Sequence, residues 1–271
     1  MIVGWILPIS QAFAVLYGLV IGSFLAVCIV RLPEDRSLLT PSACGTCGRR
    51  LTWWENVPLV SYVALRGRCR TCGGPIPAIH PLTELLGGLL AWLLFRRVFT
   101  DPADLDLAHV GLWAILFTFV SLLVVAAAVD IRHRIIPDET SIYAIPFGVA
   151  AVAFVQWEGL EGPLAQGWRH AVVGVALWGG AFAAFAVVVE WIAGRVALGW
   201  GDVKLVAMLA SFLGVWPGTF VVVLWGSLFG AIAGILVTLA LRRRAYLPFG
   251  PPLAGAATLW VLYGNLLLPG L

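Results

Sequence analysis

Charged residues are scarce. Asp, Glu, Lys and Arg fill 11% of 271 positions, whereas a soluble domain carries roughly 25%. With 61% hydrophobic residues and a mean hydropathy of +0.97, the chain is too apolar for a water-soluble core. Net charge is also small, +3, so a nucleic-acid partner is not suggested. No Lys or Arg precedes Gln11. The basic region that opens a cleaved signal peptide is therefore missing, and the first apolar run reads as a retained span. Histidine is sparse and scattered, at 80, 109, 133 and 170. There is no HExxH metallopeptidase motif, no Ser-His-Asp spacing and no GxGxxG nucleotide loop. Only His133, three residues from Asp130, is placed to orient an acid.

What fills the chain instead is apolar sequence. Eight runs stand out, at 8–30, 82–99, 108–129, 141–157, 171–193, 203–216, 219–241 and 248–268. A spanning helix needs about 20 mostly apolar residues. The expected fold is an all-α polytopic membrane protein with about eight transmembrane helices and one small soluble insert. The sixth run is short, and Pro217-Gly218 alone parts it from the seventh. Basic residues set the sidedness. With segment 31–81 placed in the cytoplasm and sides alternating, fourteen fall inside and three, Arg96, Arg97 and Arg169, fall outside. This is the positive-inside pattern. It puts both termini outside and requires two crossings between Lys204 and Arg242. Thirteen Trp suit anchoring at the interfaces. The expected domains are a first span at 1–30, the cytoplasmic insert at 31–81 and a transmembrane core at 82–271. No internal repeat is evident.

The insert is rich in Gly, Pro, Cys and Arg and too small to build its own core. It contains CGTC at 44–47 and CRTC at 69–72, with 21 residues between Cys47 and Cys69. Two C-x2-C turns can converge four thiolates on one tetrahedral ion. Cys44, Cys47, Cys69 and Cys72 are thus the expected ligands of a structural zinc, which leaves no open coordination position. Redox-active C-x-x-C pairs are the alternative. Arg49, Arg50, Arg66, Arg68 and Arg70 would favour thiolates in either case. Cys28, alone in an apolar run, reads as a small buried hydrophobe.

Few carboxylates compete for a catalytic role. Asp130 ends the run VVAAAVD, and Asp202 closes GWGD just before another run, both at the expected cytoplasmic boundary. Glu84 and Glu190 also lie in or beside apolar runs. Ionisable groups at such places are costly and mark function by default. Two carboxylates brought together cannot both ionise easily, so one holds a proton while the other activates water. Gly199 and Gly201 would let an extended peptide approach Asp202 closely.

Taken together, GSFLAVCIVRLP (22–33), the paired C-x2-C motifs, WWENVPLVSYVALRGRC (53–69), HPLTELL (80–86), VDIRHRIIPD (129–138), GWGDVKL (199–205) and LPFGPPLAG (247–255) resemble the bacterial type IV prepilin peptidases. These blocks occur in the family's order over nearly the whole chain. The resemblance implies a GxGD-type aspartyl protease with eight spans. Such an enzyme cuts the basic leader of type IV prepilins and type II secretion pseudopilins after a Gly, and many members then methylate the new N-terminal amine with S-adenosylmethionine. By motif position, Asp130 and Asp202 match the catalytic aspartates, and the four paired cysteines match the metal ligands. Glu55 and Asn56 are the best-matching residues for methyl transfer. The implied partners are prepilin or pseudopilin precursors and the lipid bilayer, and the implied location is the cytoplasmic (inner) membrane. One departure bears on methylation: Ile79 and His80 stand where the family often has a basic-aromatic pair. The competing readings are a peptidase that does not methylate, a scaffold or transporter with a zinc ribbon, and a membrane thiol oxidoreductase.

The sidedness is directly testable. In a cysteine-free background that still inserts, Trp200→Cys should resist an impermeant thiol reagent in intact cells and react once the membrane is opened. Labelling in intact cells would overturn the topology.

Overall fold

The computed structural model describes residues 3–164, 166–194, 198–241 and 248–267. Hydrocarbon offers backbone groups no partner, so apolar segments must satisfy their own hydrogen bonds as helices. The described residues follow that rule. They contain no β-strand, and isolated bridges join Ala43 to Arg50 and Arg68 to Pro75. The chain divides into two compact units, Met1–Asp106 and Leu107–Leu271.

In the first unit, α1 (Val3–Arg31) packs along α3 (Ile79–Val98), and the segment between them carries the short α2 (Val60–Ala64). Glycine sets how closely the two long helices approach. A Cβ on Gly18 would overlap the carbonyl of Gly87, one on Gly22 would overlap that of Thr83, and one on Gly87 would overlap that of Gly18. Helices inside a bilayer gain little from the hydrophobic effect and associate through such close backbone packing.

The second unit holds α4 (Leu107–His133), α5 (Ala144–Trp157), α6 (Trp168–Gly174), α7 (Gly180–Ala193), α8 (Trp200–Leu213), α9 (Gly218–Leu241) and α10 (Gly250–Leu267). A π-helical turn over Val175–Gly179 joins α6 to α7. The core lies on α8, which is buried at Val203 and from Leu205 to Leu213. Around it pack α5, α6 with the π turn, and α9, while α10 lies on α9 and α4. Phe212 of α8 stacks on Phe119 of α4 with ring centroids 4.3 Å apart. The buried Ser211 hydroxyl is satisfied by donating to the Met208 carbonyl at 2.7 Å. Gly214, at φ +69, ends α8, and the Thr219 hydroxyl donates to its carbonyl at 2.6 Å.

Each of the eight apolar runs lies on a helix. Five helical stretches are long and apolar enough to cross a membrane: Trp5–Glu34, Leu107–His133, Asp138–Trp157, Trp168–Ala193 and Gly218–Ala240. In the last two, only 11% and 17% of the most apolar window is buried. Side chains such as Leu224, Trp225, Phe229, Ile232 and Leu236 therefore face outward. A soluble protein does not leave so large an apolar face in water; lipid accounts for it. By contrast α8 has 14 residues, which at 1.5 Å per residue is about 21 Å, short of the ~30 Å hydrocarbon core. Of the residues counted toward the inside charge, Arg195, Arg242, Arg243 and Arg244 lie outside the described residues, as does Leu247.

The glycine contact between α1 and α3 predicts a clear difference between two sites. Gly87→Val should lower stability by about 1–3 kcal/mol, the usual cost of overpacking. Gly45→Ala, where an added Cβ meets nothing within 4 Å, should be neutral. Thermal unfolding of the two variants in detergent is the measurement; equal midpoints would refute the contact.

Candidate active site and cysteine centre

Asp130 and Asp202, 72 positions apart in sequence, line the same cleft of about 270 Å³. Three stretches of the second unit build it. The end of α4 and the loop after it supply Asp130, Arg134, Ile135 and Ile136. The start of α8 supplies Gly199 to Asp202 and Lys204. Pro248 and Phe249, just before α10, supply the rest.

Local sequence explains each placement. Asp130 sits in the last turn of α4, and Arg134, in a left-handed conformation at φ +57, turns the chain away while its N–H closes on the Asp130 carbonyl at 2.9 Å. The Asp130 side chain is buried, and its Oδ2 accepts the Gly250 N–H at 2.9 Å. A Cβ on Gly250 would lie 2.6 Å from that oxygen, so the approach requires glycine. Asp202 is the third residue of α8, behind an extended Gly199, and its backbone N–H bonds to the Gly199 carbonyl at 3.0 Å. A Cβ on Gly199 would stand 3.4 Å from Asp202 Oδ2, and one on Gly201 would stand 3.3 Å from Ile136 Cβ. Both glycines of GWGD thus keep a crowded corner open. His133 is exposed, and the hydrogen bond to the Asp130 carboxylate comes from Gly250. The Gly250 contact could not be read from residue type, although its block, LPFGPPLAG, stands out by resemblance. Lys204, which bonds Asp138 at 2.7 Å, was hidden among the charges counted for topology.

In the first unit, the sulfurs of Cys44, Cys47, Cys69 and Cys72 all lie within 4.8 Å of one another, and those of Cys44 and Cys72 are 3.8 Å apart. Four sulfurs at 2.3 Å around a tetrahedral ion would stand about 3.8 Å apart, so the set fits a single metal ion. All four thiols are free of disulfides. The centre is built from one turn used twice. In the first copy, the Cys44 N–H bonds the Arg49 carbonyl at 2.9 Å and the Gly48 N–H bonds the Cys44 carbonyl at 2.9 Å. In the second, Cys69 bonds Gly74 at 2.8 Å and Gly73 bonds Cys69 at 2.9 Å. Gly48 and Gly73 both adopt φ +69. The repeat that sequence inspection did not register is therefore short: C-x-T-C-G at 44 and again at 69. Backbone N–H groups of Cys72 and Thr71 pull the Cys69 thiol down to about 6. Those of Cys47 and Thr46 lower Cys44. At Cys72 the Gly74 N–H also lowers, but burial and the three other sulfurs outweigh it and push the thiol up to about 11.

Glu55 is buried beside this centre. Arg49 grips its carboxylate with two bonds, 2.6 and 3.1 Å, and Thr52 donates its N–H at 2.8 Å and its hydroxyl at 2.7 Å. The Arg49 bond first, then the Thr52 N–H and hydroxyl, hold Glu55 at about 2. Asn56 is exposed and donates to the Thr52 carbonyl at 3.3 Å. Arg70, next to Cys69, lies over the Trp54 ring at 5.5 Å. Glu84 of α3 is buried and accepts the Leu59 N–H at 2.8 Å. Glu190 is exposed on α7.

Fold and cleft together define the class as a polytopic helical membrane protein with two carboxylates on one cleft. Comparison with known proteins narrows this. Residues 16–98 match the Bacterial Peptidase A24 N-terminal domain and residues 117–235 match the Type IV leader peptidase family. The chain belongs to the type IV leader peptidase family. It is 40% identical over 244 residues to the prepilin leader peptidase/N-methyltransferase of Myxococcus xanthus, covering 89% of this chain and 67% of that one. To the Bacillus subtilis protein of the same name it is 34% identical, covering 92% and 93%. To that of Pseudomonas aeruginosa it is 33% identical, covering 93% and 89%. No solved structure matches the chain.

The sulfur geometry predicts that the purified, reduced protein holds one metal ion per chain. Cys69→Ser should lower metal content and expose segment 31–81 to limited proteolysis. Metal-free wild-type protein by elemental analysis would contradict the site.

Proposed function

We propose that this chain is a membrane aspartyl endopeptidase that removes the leader peptides of type IV prepilins and pseudopilins. In the same proposal it then methylates the new N-terminal amine. The observation that carries the reading is the convergence of Asp130 and Asp202 on one cleft. One carboxylate takes a proton from water as the water oxygen adds to the scissile carbonyl. The other gives its proton to the carbonyl oxygen. The resulting diol collapses as the amide nitrogen gains a proton and the C–N bond breaks, which restores both groups. Such a pair needs no metal and no covalent intermediate. The apolar helix of the substrate would lie in the bilayer and its basic leader in the cytoplasm, with the scissile bond at the cleft.

The finer architecture belongs to the same proposal. Eight segments cross the inner membrane, both termini are outside, and segment 31–81 is a cytoplasmic module. The module's metal is zinc, held by Cys44, Cys47, Cys69 and Cys72. With four thiolate ligands it pins two turns together and leaves no position for catalysis. S-adenosylmethionine would supply an electrophilic methyl group to the amine. The module is the sizeable aqueous part of the chain, and Glu55 and Asn56 are the residues assigned to methyl transfer. One observation favours a peptidase that does not methylate: the Glu55 carboxylate is already taken up by Arg49 and Thr52.

One assay separates these readings. Purified protein is mixed with a prepilin and saturating S-adenosylmethionine, and the product is weighed by mass spectrometry. Asp130→Asn and Asp202→Asn should each cut cleavage by at least ~100-fold, the span of an acid–base group. Glu55→Ala should spare cleavage and reduce the fraction carrying one extra methyl group. Full cleavage in either Asn variant refutes the pair, and an unmethylated wild-type product leaves a peptidase alone.

A further inference from the structure

We propose that the ion pair between Lys204 and Asp138 is the strut that fixes the spacing of Asp130 and Asp202, which makes Lys204 and Asp138 positioning residues for cleavage. This rests on Asp130 and Asp202 being the catalytic pair.

Lys204 is the one lysine in a chain whose other basic residues are all arginine. It stands two positions after Asp202 on α8 and lines the cleft with both aspartates. Its Nζ lies 2.7 Å from Asp138 Oδ1, across 66 residues of sequence. Asp138 opens the turn Asp138–Thr140, eight residues beyond Asp130. The bond therefore ties the backbone that carries one aspartate to the backbone that carries the other.

Both ends of the tie are rigid. Lys204 projects from a helix buried along most of its length. Asp138 is held by a closed turn: its carbonyl accepts the Tyr143 N–H at 3.0 Å, and the Pro137 carbonyl accepts the hydroxyls of Thr140 at 3.0 Å and Ser141 at 2.9 Å. A second contact lies alongside, where Gly201 is close enough to Ile136 that a Cβ would stand 3.3 Å from it. The loop after Asp130 and the first turn of α8 are thus joined at two points. The ammonium is also unsuited to gripping a basic leader, which it would repel, and it is already engaged by Asp138. A compact ammonium on a flexible stem fits one carboxylate oxygen, whereas a planar guanidinium prefers two.

Spacing matters because the two carboxylates work only if close enough to divide a single proton. A displacement of about 1 Å can cost ~100-fold in rate. With the tie cut, the substrate would still bind but chemistry would slow.

The test uses full-length protein in detergent and an intact prepilin, with kcat and KM measured for Lys204→Met, for Asp138→Asn, and for the exchange that combines Lys204→Asp with Asp138→Lys. Each single change should lower kcat about tenfold or more with KM within about twofold, and the exchange should recover about tenfold over the poorer single variant. Should Lys204→Met fail to accumulate, Asp138→Asn carries the reading, since that side chain is half-exposed. Wild-type kcat in the singles, a change in KM alone, or an exchange no better than the singles would each overturn the strut. Asp130→Asn and Asp202→Asn in the same series keep the two ideas apart. If these stay active, the catalytic pair itself falls; if they are dead while Asp138→Asn is fully active, only the strut falls.

Discussion

A carboxylate in hydrocarbon is costly unless it has water or a partner, and the second unit is arranged around that constraint. Its two cleft aspartates sit at helix ends. Asp130 lies in the last turn of α4, where the chain leaves one apolar run, and Asp202 in the first turn of α8, where it enters another. The helices that flank them can be uniformly apolar because the polar chemistry is confined to one corner. Glycines at 199, 201 and 250 then allow three segments of backbone to meet there without side chains in the way.

The first unit meets a different shortage. Segment 31–81 has few buried side chains to hold it, and its order comes from polar geometry. The paired cysteine turns are braced from outside by arginine: Arg49 reaches Glu55, and Arg70 reaches Trp54. Each turn thus sends one cation to the same Trp53–Asn56 stretch. The Leu59 N–H, capped by Glu84, then fastens that stretch to α3. The WWEN block is tied to both halves of the cysteine cluster and to a helix, which accounts for Glu55 being buried in a segment with few buried side chains.

Much of this was legible in the sequence because apolar length and rare polar residues are strong signals in lipid. All eight apolar runs are helical, and the four paired cysteines do converge. Asp130 and Asp202 could be singled out because few other carboxylates border an apolar run. What stayed hidden depends on through-space contact. Gly250 reaches Asp130 through a backbone N–H, which leaves no trace in residue type. Lys204 looked like one more inside charge, since sidedness depends on the sign of a side chain and not on its partner. Glu55 stands out in the sequence only as a candidate for methyl transfer; its neighbours, Arg49 and Thr52, are invisible without the turn that gathers them. The kinship of the two cysteine turns was missed because five residues are too few to register as a repeat until their hydrogen bonds are compared.

That paired-turn construction has a consequence for how the chain can vary. The four-cysteine cluster closes a loop of 21 residues between Cys47 and Cys69, and the entropy lost in closing a loop grows only with the logarithm of its length. Doubling it would cost about 0.6 kcal/mol. The clasp itself, not the span between its halves, determines whether the ends meet. Length between the two turns can therefore change at little entropic cost wherever the helical turn of α2 (Val60–Ala64), which bonds back to Val57 and Leu59, is kept whole.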